Sequence, residues 1–128
     1  MKTGVDIMAE LGKKTFLKRR NPETTQAEEA DTFARLADFE NGAIFVGKFR
    51  GESSWERHPH GDEILHVIEG DVQVTILGEG VETLSLREGM LAVVNKGKWH
   101  RLTAANSVTL MTVTPLPTEC SVEDPRAA

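Results

Sequence analysis

The chain has 128 residues, 39% hydrophobic and 27% charged, with a formal net charge of −5. That suits one globular domain with a packed core and excludes a chain disordered throughout. The negative balance, and an aromatic share of 5% without tyrosine, argue against a nucleic-acid binder, which needs a basic footprint or stacking rings.

Residues 1–22 carry six basic side chains against two acidic ones, a net of +4. The run Lys13-Lys14-Thr15-Phe16-Leu17-Lys18-Arg19-Arg20 reads as a solvated arm or edge strand anchored by Phe16 and Leu17, since the next segment reverses the sign. Asp6 and Glu10 interrupt any signal-like apolar run, and no stretch approaches the roughly 18 apolar residues that span a bilayer. The one cysteine, Cys120, cannot close an internal disulfide. The expectation is a cytoplasmic protein with no membrane partner.

Residues 23–41 hold six acidic side chains against Arg35, a net of −5. Thr25-Gln26-Ala27-Glu28 has the capping-box pattern that opens a helix. Ala30, Phe33, Ala34 and Ala37 then recur at helical spacing, and Asn41-Gly42 ends the segment. These features predict an N-terminal arm and one amphipathic helix over residues 1–41.

From residue 43 the period changes to two. Strands are predicted over 43–49, 63–68 and 71–77, around Leu84 and Leu86, and over 90–94 and 108–113. Glycine-bearing turns separate them at Glu69-Gly70-Asp71, Gly78-Glu79-Gly80, Arg87-Glu88-Gly89 and Lys96-Gly97-Lys98. The fold class is all-β, an antiparallel sandwich or barrel over residues 42–115. Pro115, Pro117 and Pro125 stop pairing, which leaves 116–128 as a loose tail. Gly42 to Lys48 mimics a phosphate-binding loop, but Phe49 stands where the magnesium-binding hydroxyl is required.

The four histidines, His58, His60, His66 and His100, fall within this barrel region, and the first three adjoin Glu56, Asp62 and Glu63. Two histidines one residue apart on an extended segment share a side, and a carboxylate opening the next strand can face them. Imidazoles plus a carboxylate suit a divalent first-row ion such as Fe, Mn, Ni or Zn. His66 has the opposite parity to Glu63 and is expected to face away, as is Arg57. Trp55 and Trp99 flank the histidine segments, either as pocket walls or as ordinary core or dimer-interface residues.

At these residues the chain resembles the cupin superfamily, whose motifs are G-x5-H-x-H-x3-4-E-x6-G and G-x5-P-x-G-x2-H-x3-N. Gly51, His58, His60, Glu63 and Gly70 resemble the first; Gly89, Gly97 and His100 match the second, with Asn95 and Ala104 at its proline and asparagine places. Two residues separate His60 from Glu63 where the pattern has three or four. Two alignments follow. His58 and His60 are the paired ligands in the preferred one; in the other His58 takes the second place and Glu56 the first. Glu63 and His100 are ligands in both.

The resemblance implies a double-stranded β-helix, a jelly-roll barrel with a metal at its wide end, and a homodimer to which the arm around Phe16 and Leu17 contributes. The first functional reading is a metal-binding cupin that acts on a small molecule, with Arg50, Lys98 or Arg101 available to orient an acidic group on it. Oxygenase and isomerase chemistry are among the reactions it allows, and catalytic residues stay unassigned. The alternatives are a non-catalytic binding or sensing module and a metal-free structural barrel, because a fold hosts many functions.

Overall fold

The computed structural model describes residues 4–127; Lys2 of the basic arm and Ala128 of the tail lie outside the described residues. In chain order the elements are α1 (Ile7–Leu11), β1 (Leu17–Arg20), α2 (Gln26–Thr32), β2 (Ala34–Phe39), β3 (Gly42–Glu52), β4 (Trp55–Arg57), β5 (Glu63–Leu77), β6 (Val81–Arg87), β7 (Leu91–Val94), β8 (His100–Pro115) and β9 (Glu119–Ser121). A 3₁₀ turn at Pro125–Ala127 follows.

All of these strands join one curled sheet. The long β8 runs through its middle, antiparallel to β3 on one side and to β5 on the other. The first half of β5 also pairs with β7 and the second half with β6. Alternation along the strands turns Leu65, Val67, Val74, Leu102 and Leu110 inward, and leaves Ile64, Leu91 and Val93 exposed outside. Each fully buried aliphatic side chain of this kind contributes about 1.5–3 kcal/mol. The result is an all-β barrel, as the period-two patterning predicts.

Glu69-Gly70-Asp71 is not a turn between two strands but a bend inside β5, where the pairing with β8 shifts register. Gly70 takes φ +81 there, and a Cβ on it would lie 2.1 Å from the Ser107 carbonyl oxygen. Only glycine lets the two strands approach so closely at that conformation.

The predicted helix over 25–40 is half right. Thr25 and Glu28 make the reciprocal capping box, yet α2 ends at Thr32. The remainder is β2, which forms a hairpin with β3 through the two-residue loop Glu40–Asn41. Ala34 and Ala37 pair with Val46 and Ile44, so ladder hydrogen bonds to an existing strand override their helical preference. Residues 34–39 therefore belong to the sheet and not to a separate arm.

The basic arm is an edge strand: β1 pairs in parallel with β3, Leu17 opposite Phe49 and Arg20 opposite Gly51. The helix α1 ahead of it has no counterpart among the predicted elements. Phe16 and Leu17 are half-buried within this chain. Lys48 Nζ sits 4.8 Å from the Phe16 ring centroid, and Leu17 packs against the core.

Gly51 sets how closely β1 approaches. Its φ is +114, and a Cβ would lie 2.1 Å from the Arg20 carbonyl oxygen. Gly51→Ala is expected to cost at least about 2 kcal/mol in urea unfolding through strain and a displaced β1. Unchanged stability would show that β1 has room to spare.

The tail is not loose. Beyond a cis Leu116–Pro117 bond the chain forms β9, antiparallel to β4, with Cys120 opposite Glu56. No described helix is long and apolar enough to cross a membrane.

Candidate metal centre

Three elements converge at one end of the barrel. Glu63 opens β5, His100 opens β8, and His58 directly follows β4. Their side chains point inward, His58 4%, Glu63 5% and His100 1% exposed. Backbone hydrogen bonds tie the two loops that carry them. The His58 carbonyl accepts from the Gly97 N–H at 3.0 Å, and the Asp62 carboxylate accepts from the Lys96 N–H at 2.7 Å.

Glu63 Oε1 lies 3.1 Å from His58 Nε2 and 3.0 Å from His100 Nε2, and one ligand atom from each residue falls within 4.8 Å of the others. Bonds of about 2.1 Å meeting at a right angle set two donors about 3.0 Å apart, so these spacings already match neighbouring positions on one ion. His58 Nε2 is buried and has no hydrogen-bond partner, although Glu63 is near. A buried nitrogen without a partner needs something to bind. The residues fit a divalent metal.

Outer contacts hold each of the three side chains in place. His100 Nδ1 lies 3.1 Å from the Lys98 carbonyl, which can only accept, so the proton sits on Nδ1 and Nε2 faces the centre. Thr118 Oγ1 is 3.0 Å from His58 Nδ1 and orients that ring, its hydroxyl able to donate or accept there. Thr114 Oγ1 donates to Glu63 Oε2 at 2.7 Å. That donation uses the Thr114 proton, so Thr112, 2.7 Å away, donates to Thr114 in turn. Nothing local in the tail or in β8 marks these threonines as functional; only the fold brings them to the site.

Burial pushes the Glu63 carboxyl up, but the His100 hydrogen bond and the charges of His58 and His100 outweigh it and hold the group at about 2. Burial likewise lowers His100, and the Glu63 hydrogen bond and charge more than compensate, leaving it raised. In metal-free protein Glu63 is therefore ionised near neutrality, and His100 holds its proton to higher pH than a free imidazole. A depressed carboxylate stabilises the fold above its unfolded value of about 4.5 and loses that contribution as pH falls toward 2. A raised histidine stabilises below about 6.5 and loses it as pH rises through the folded value. The melting temperature of metal-free protein should peak between these limits and drop by several degrees from about pH 5 to pH 3. A flat profile on both sides would contradict the pairing.

His60 is elsewhere. Pro59 and His60 form a turn, so the alternation expected of an extended His-x-His segment does not apply. The His60 side chain is exposed, and its carbonyl accepts from Asn41 Nδ2 at 3.0 Å. Glu56 instead faces the interior, paired across the sheet with His100, and burial raises its pKa despite the opposing charge of Arg20. It stands outside the three-residue cluster. His66 lies on the outer face of β5, as its parity predicts.

A cavity of about 670 Å³ opens on the cluster, walled by Phe33 and Phe45, by Leu110 and Thr112 of β8, and by Leu116 and Val122 of the tail. Neither tryptophan lines it. Trp55 is buried beneath the Arg101 guanidinium, 4.5 Å from its ring centroid, and Arg57 covers Trp99 at 4.6 Å. Arg57 points outward to Glu119, Arg101 pairs with Glu52, and Arg50 donates to the Lys18 carbonyl. Lys98 is exposed and outside the wall as well. The cation that does line the cavity is Arg20.

Comparison with known proteins adds the lineage. The family described as Cupin domain matches residues 47–114, more than half of the chain. Among solved structures the chain is similar to a cupin-2 domain containing protein from Shewanella frigidimarina, at 23% identity over 70% of this chain and 80% of that one, with a TM-score of 0.56. It is also similar to a conserved protein of unknown function from Streptococcus pyogenes, at 24% identity, 66% and 73% coverage and a TM-score of 0.57. The Bacillus subtilis oxalate decarboxylase is a more distant likeness, at 13% identity over 78% of this chain and 29% of that one, TM-score 0.60. At such identities the likeness shows a shared fold. No curated protein matches.

Proposed function

The chain belongs to the cupin domain family, and on that premise we propose that it binds a divalent first-row metal through His58, Glu63 and His100 and acts there on a small molecule held in the cavity. The observation that carries this reading is the convergence of three buried donors at spacings of 3.0 and 3.1 Å. Two imidazoles and one carboxylate form the donor set of mononuclear iron(II) sites and of hydrolytic zinc sites, both of which keep open positions. The Bacillus subtilis oxalate decarboxylase, which shares the fold, has Mn(II) centres.

Bound there, the ion would supply Lewis acidity and open coordination positions to a ligand. The remaining work falls to the chain. Thr114 and Thr112 orient the Glu63 carboxylate, Lys98 and Thr118 fix the imidazoles, and the apolar walls keep water from the ligand. For a fourth donor Glu56, which lines the same cavity, is favoured over the exposed His60, and its side chain must move toward the three-residue cluster to reach the ion. Because the ligands must shed protons to bind, metal uptake weakens at low pH.

Reconstitution of untagged protein with Fe(II), Mn(II), Ni(II) and Zn(II), followed by elemental analysis, tests this directly. The expected result is about one equivalent per chain for at least one metal, retained in full by His60→Ala and reduced by Glu56→Gln. Less than about a tenth of an equivalent for every metal would leave the metal-free barrel standing. Loss of metal in His60→Ala would restore that residue to the ligand set.

A further inference from the structure

Arg20 is an unusual occupant of a cavity wall. It ends β1, three residues beyond Leu17, and its side chain is 6% exposed. The guanidinium lies over two aromatic rings, 4.4 Å from the Phe49 centroid and 5.1 Å from that of Phe33. Nε donates to Glu29 Oε1 at 3.0 Å. An arginine–carboxylate pair is commonly bidentate, with two parallel N–H···O bonds. Here it is not. Arg20 Nη1 and Glu29 Oε2 are both buried with no hydrogen-bond partner. Among the described residues no ion pair joins Arg20 to Glu56 or Glu63, the carboxylates deeper in the same cavity.

A buried donor without a partner is rare, and a guanidinium can be relieved only by an acceptor, since it cannot lose its proton. The acceptor must enter from the cavity, because rings cover the guanidinium and Glu29 takes Nε. Planar N–H donors suit a planar oxyanion. Arg20 is also the one lysine or arginine in the cavity wall among the described residues. Glu29 already shares the Arg20 charge through Nε, so the donor left on Nη1 suits a singly charged carboxylate better than a doubly charged phosphate. Glu23, Glu56 and Glu63 line other parts of the wall, and the apolar stretch formed by Phe45, Leu110 and Leu116 suits an apolar body. The volume of about 670 Å³ lies in the range of small-molecule sites.

We infer that Arg20 anchors the carboxylate of the cavity's ligand, so that the ligand class is a small monocarboxylate with an apolar body. This rests on the cavity being the ligand site and adds the substrate class to it. Arg20 comes from the N-terminal strand, outside the matched residues 47–114, so the anchor belongs to this chain's arm and not to the shared barrel.

Calorimetric titration with phenylacetate, 2-phenylacetamide and phenyl phosphate, on zinc-loaded and on metal-free protein, tests the anchor. Phenylacetate should bind at least about tenfold more tightly than its neutral amide in both forms, since a charge-assisted hydrogen bond separates them. Arg20→Met should abolish that preference, and Arg20→Lys should keep part of it. Glu29→Gln removes the competing carboxylate and should tighten phenylacetate binding several-fold, an effect that a purely structural Arg20–Glu29 pair would not produce.

Equal affinity for acid and amide, no phenylacetate binding to either form, tighter binding of phenyl phosphate, or an unchanged preference in Arg20→Met would each overturn the inference. Binding that requires zinc and ignores Arg20→Met places the carboxylate on the ion and also overturns it. Zinc content of the same preparations reports on the metal reading separately. Protein that takes up no zinc yet prefers the acid through Arg20 keeps the anchor and loses the ion.

Discussion

Glu63→Gln should lower affinity for a divalent metal by at least about a thousandfold while leaving the barrel folded. The amide has the same shape as the carboxylate, so the loss reports charge and donor strength. Altering an outer partner of a ligand typically costs 10–100-fold in metal affinity. Removing the single anionic donor that both imidazoles face costs more. The effect is read in two ways. Titration with zinc or manganese gives the affinity itself. The metal-induced rise in melting temperature gives an independent measure, because ligand at 100 times its dissociation constant adds about 2.7 kcal/mol to stability. The parent should show that rise and the variant should lose it at the same concentration. His60→Ala and His66→Ala serve as controls, since neither side chain joins the cluster. A Glu63→Gln protein that binds metal as tightly as the parent would remove Glu63 from the ligand set.

Phe49→Ala should be the most damaging substitution to the fold. The ring is fully buried between the core of the barrel and the arm, 6.1 Å from the Phe33 centroid and beneath the Arg20 guanidinium. Truncating a buried phenylalanine costs about 3–5 kcal/mol through lost burial and the cavity left behind. Loss of the cation–π contact adds about 1 kcal/mol. Domains of this size are stable by only about 5–15 kcal/mol, so the change consumes a large part of the total. Urea unfolding should show a much lower midpoint with little change in slope. A loss below about 1 kcal/mol would mean that the arm does not close the barrel as described. The same variant should weaken phenylacetate binding, because Phe49 is one of the two rings that hold Arg20 in place.

The barrel was legible because its signal is local and repeated: inward Leu65, Val67, Val72 and Val74 alternate with outward neighbours for most of β5. The centre was legible in part. Glu63 and His100 keep family spacing on strand openings, where parity and side-chain direction hold. His60 misleads because the alternation argument presupposes an extended backbone, and Pro59 with His60 turns instead. The helix misleads for a related reason. Ala34 and Ala37 fit a three- and four-residue stripe as well as they fit a hairpin, and Asn41-Gly42 can stop a helix or turn a strand.

Arg20 was hidden more deeply. Simple alternation from the inward-leaning Leu17 would turn Arg19 inward and Arg20 out, but pairing with β3 shifts register between Leu17 and Arg20. That irregularity, and the glycine opposite, decide which arginine enters the cavity. Thr118 is similarly obscure, since the prolines around it suggest an unpaired tail while β9 in fact draws the segment over His58.

The proposed function requires one divalent ion between His58, Glu63 and His100. Crystals of untagged protein soaked in zinc or manganese, measured at the metal's absorption edge, test it most directly. One dominant anomalous peak is expected within about 2.0–2.3 Å of both Nε2 atoms and of a Glu63 carboxylate oxygen. Absence of a peak there, or a dominant peak at His60 with the three buried residues bare, would contradict it.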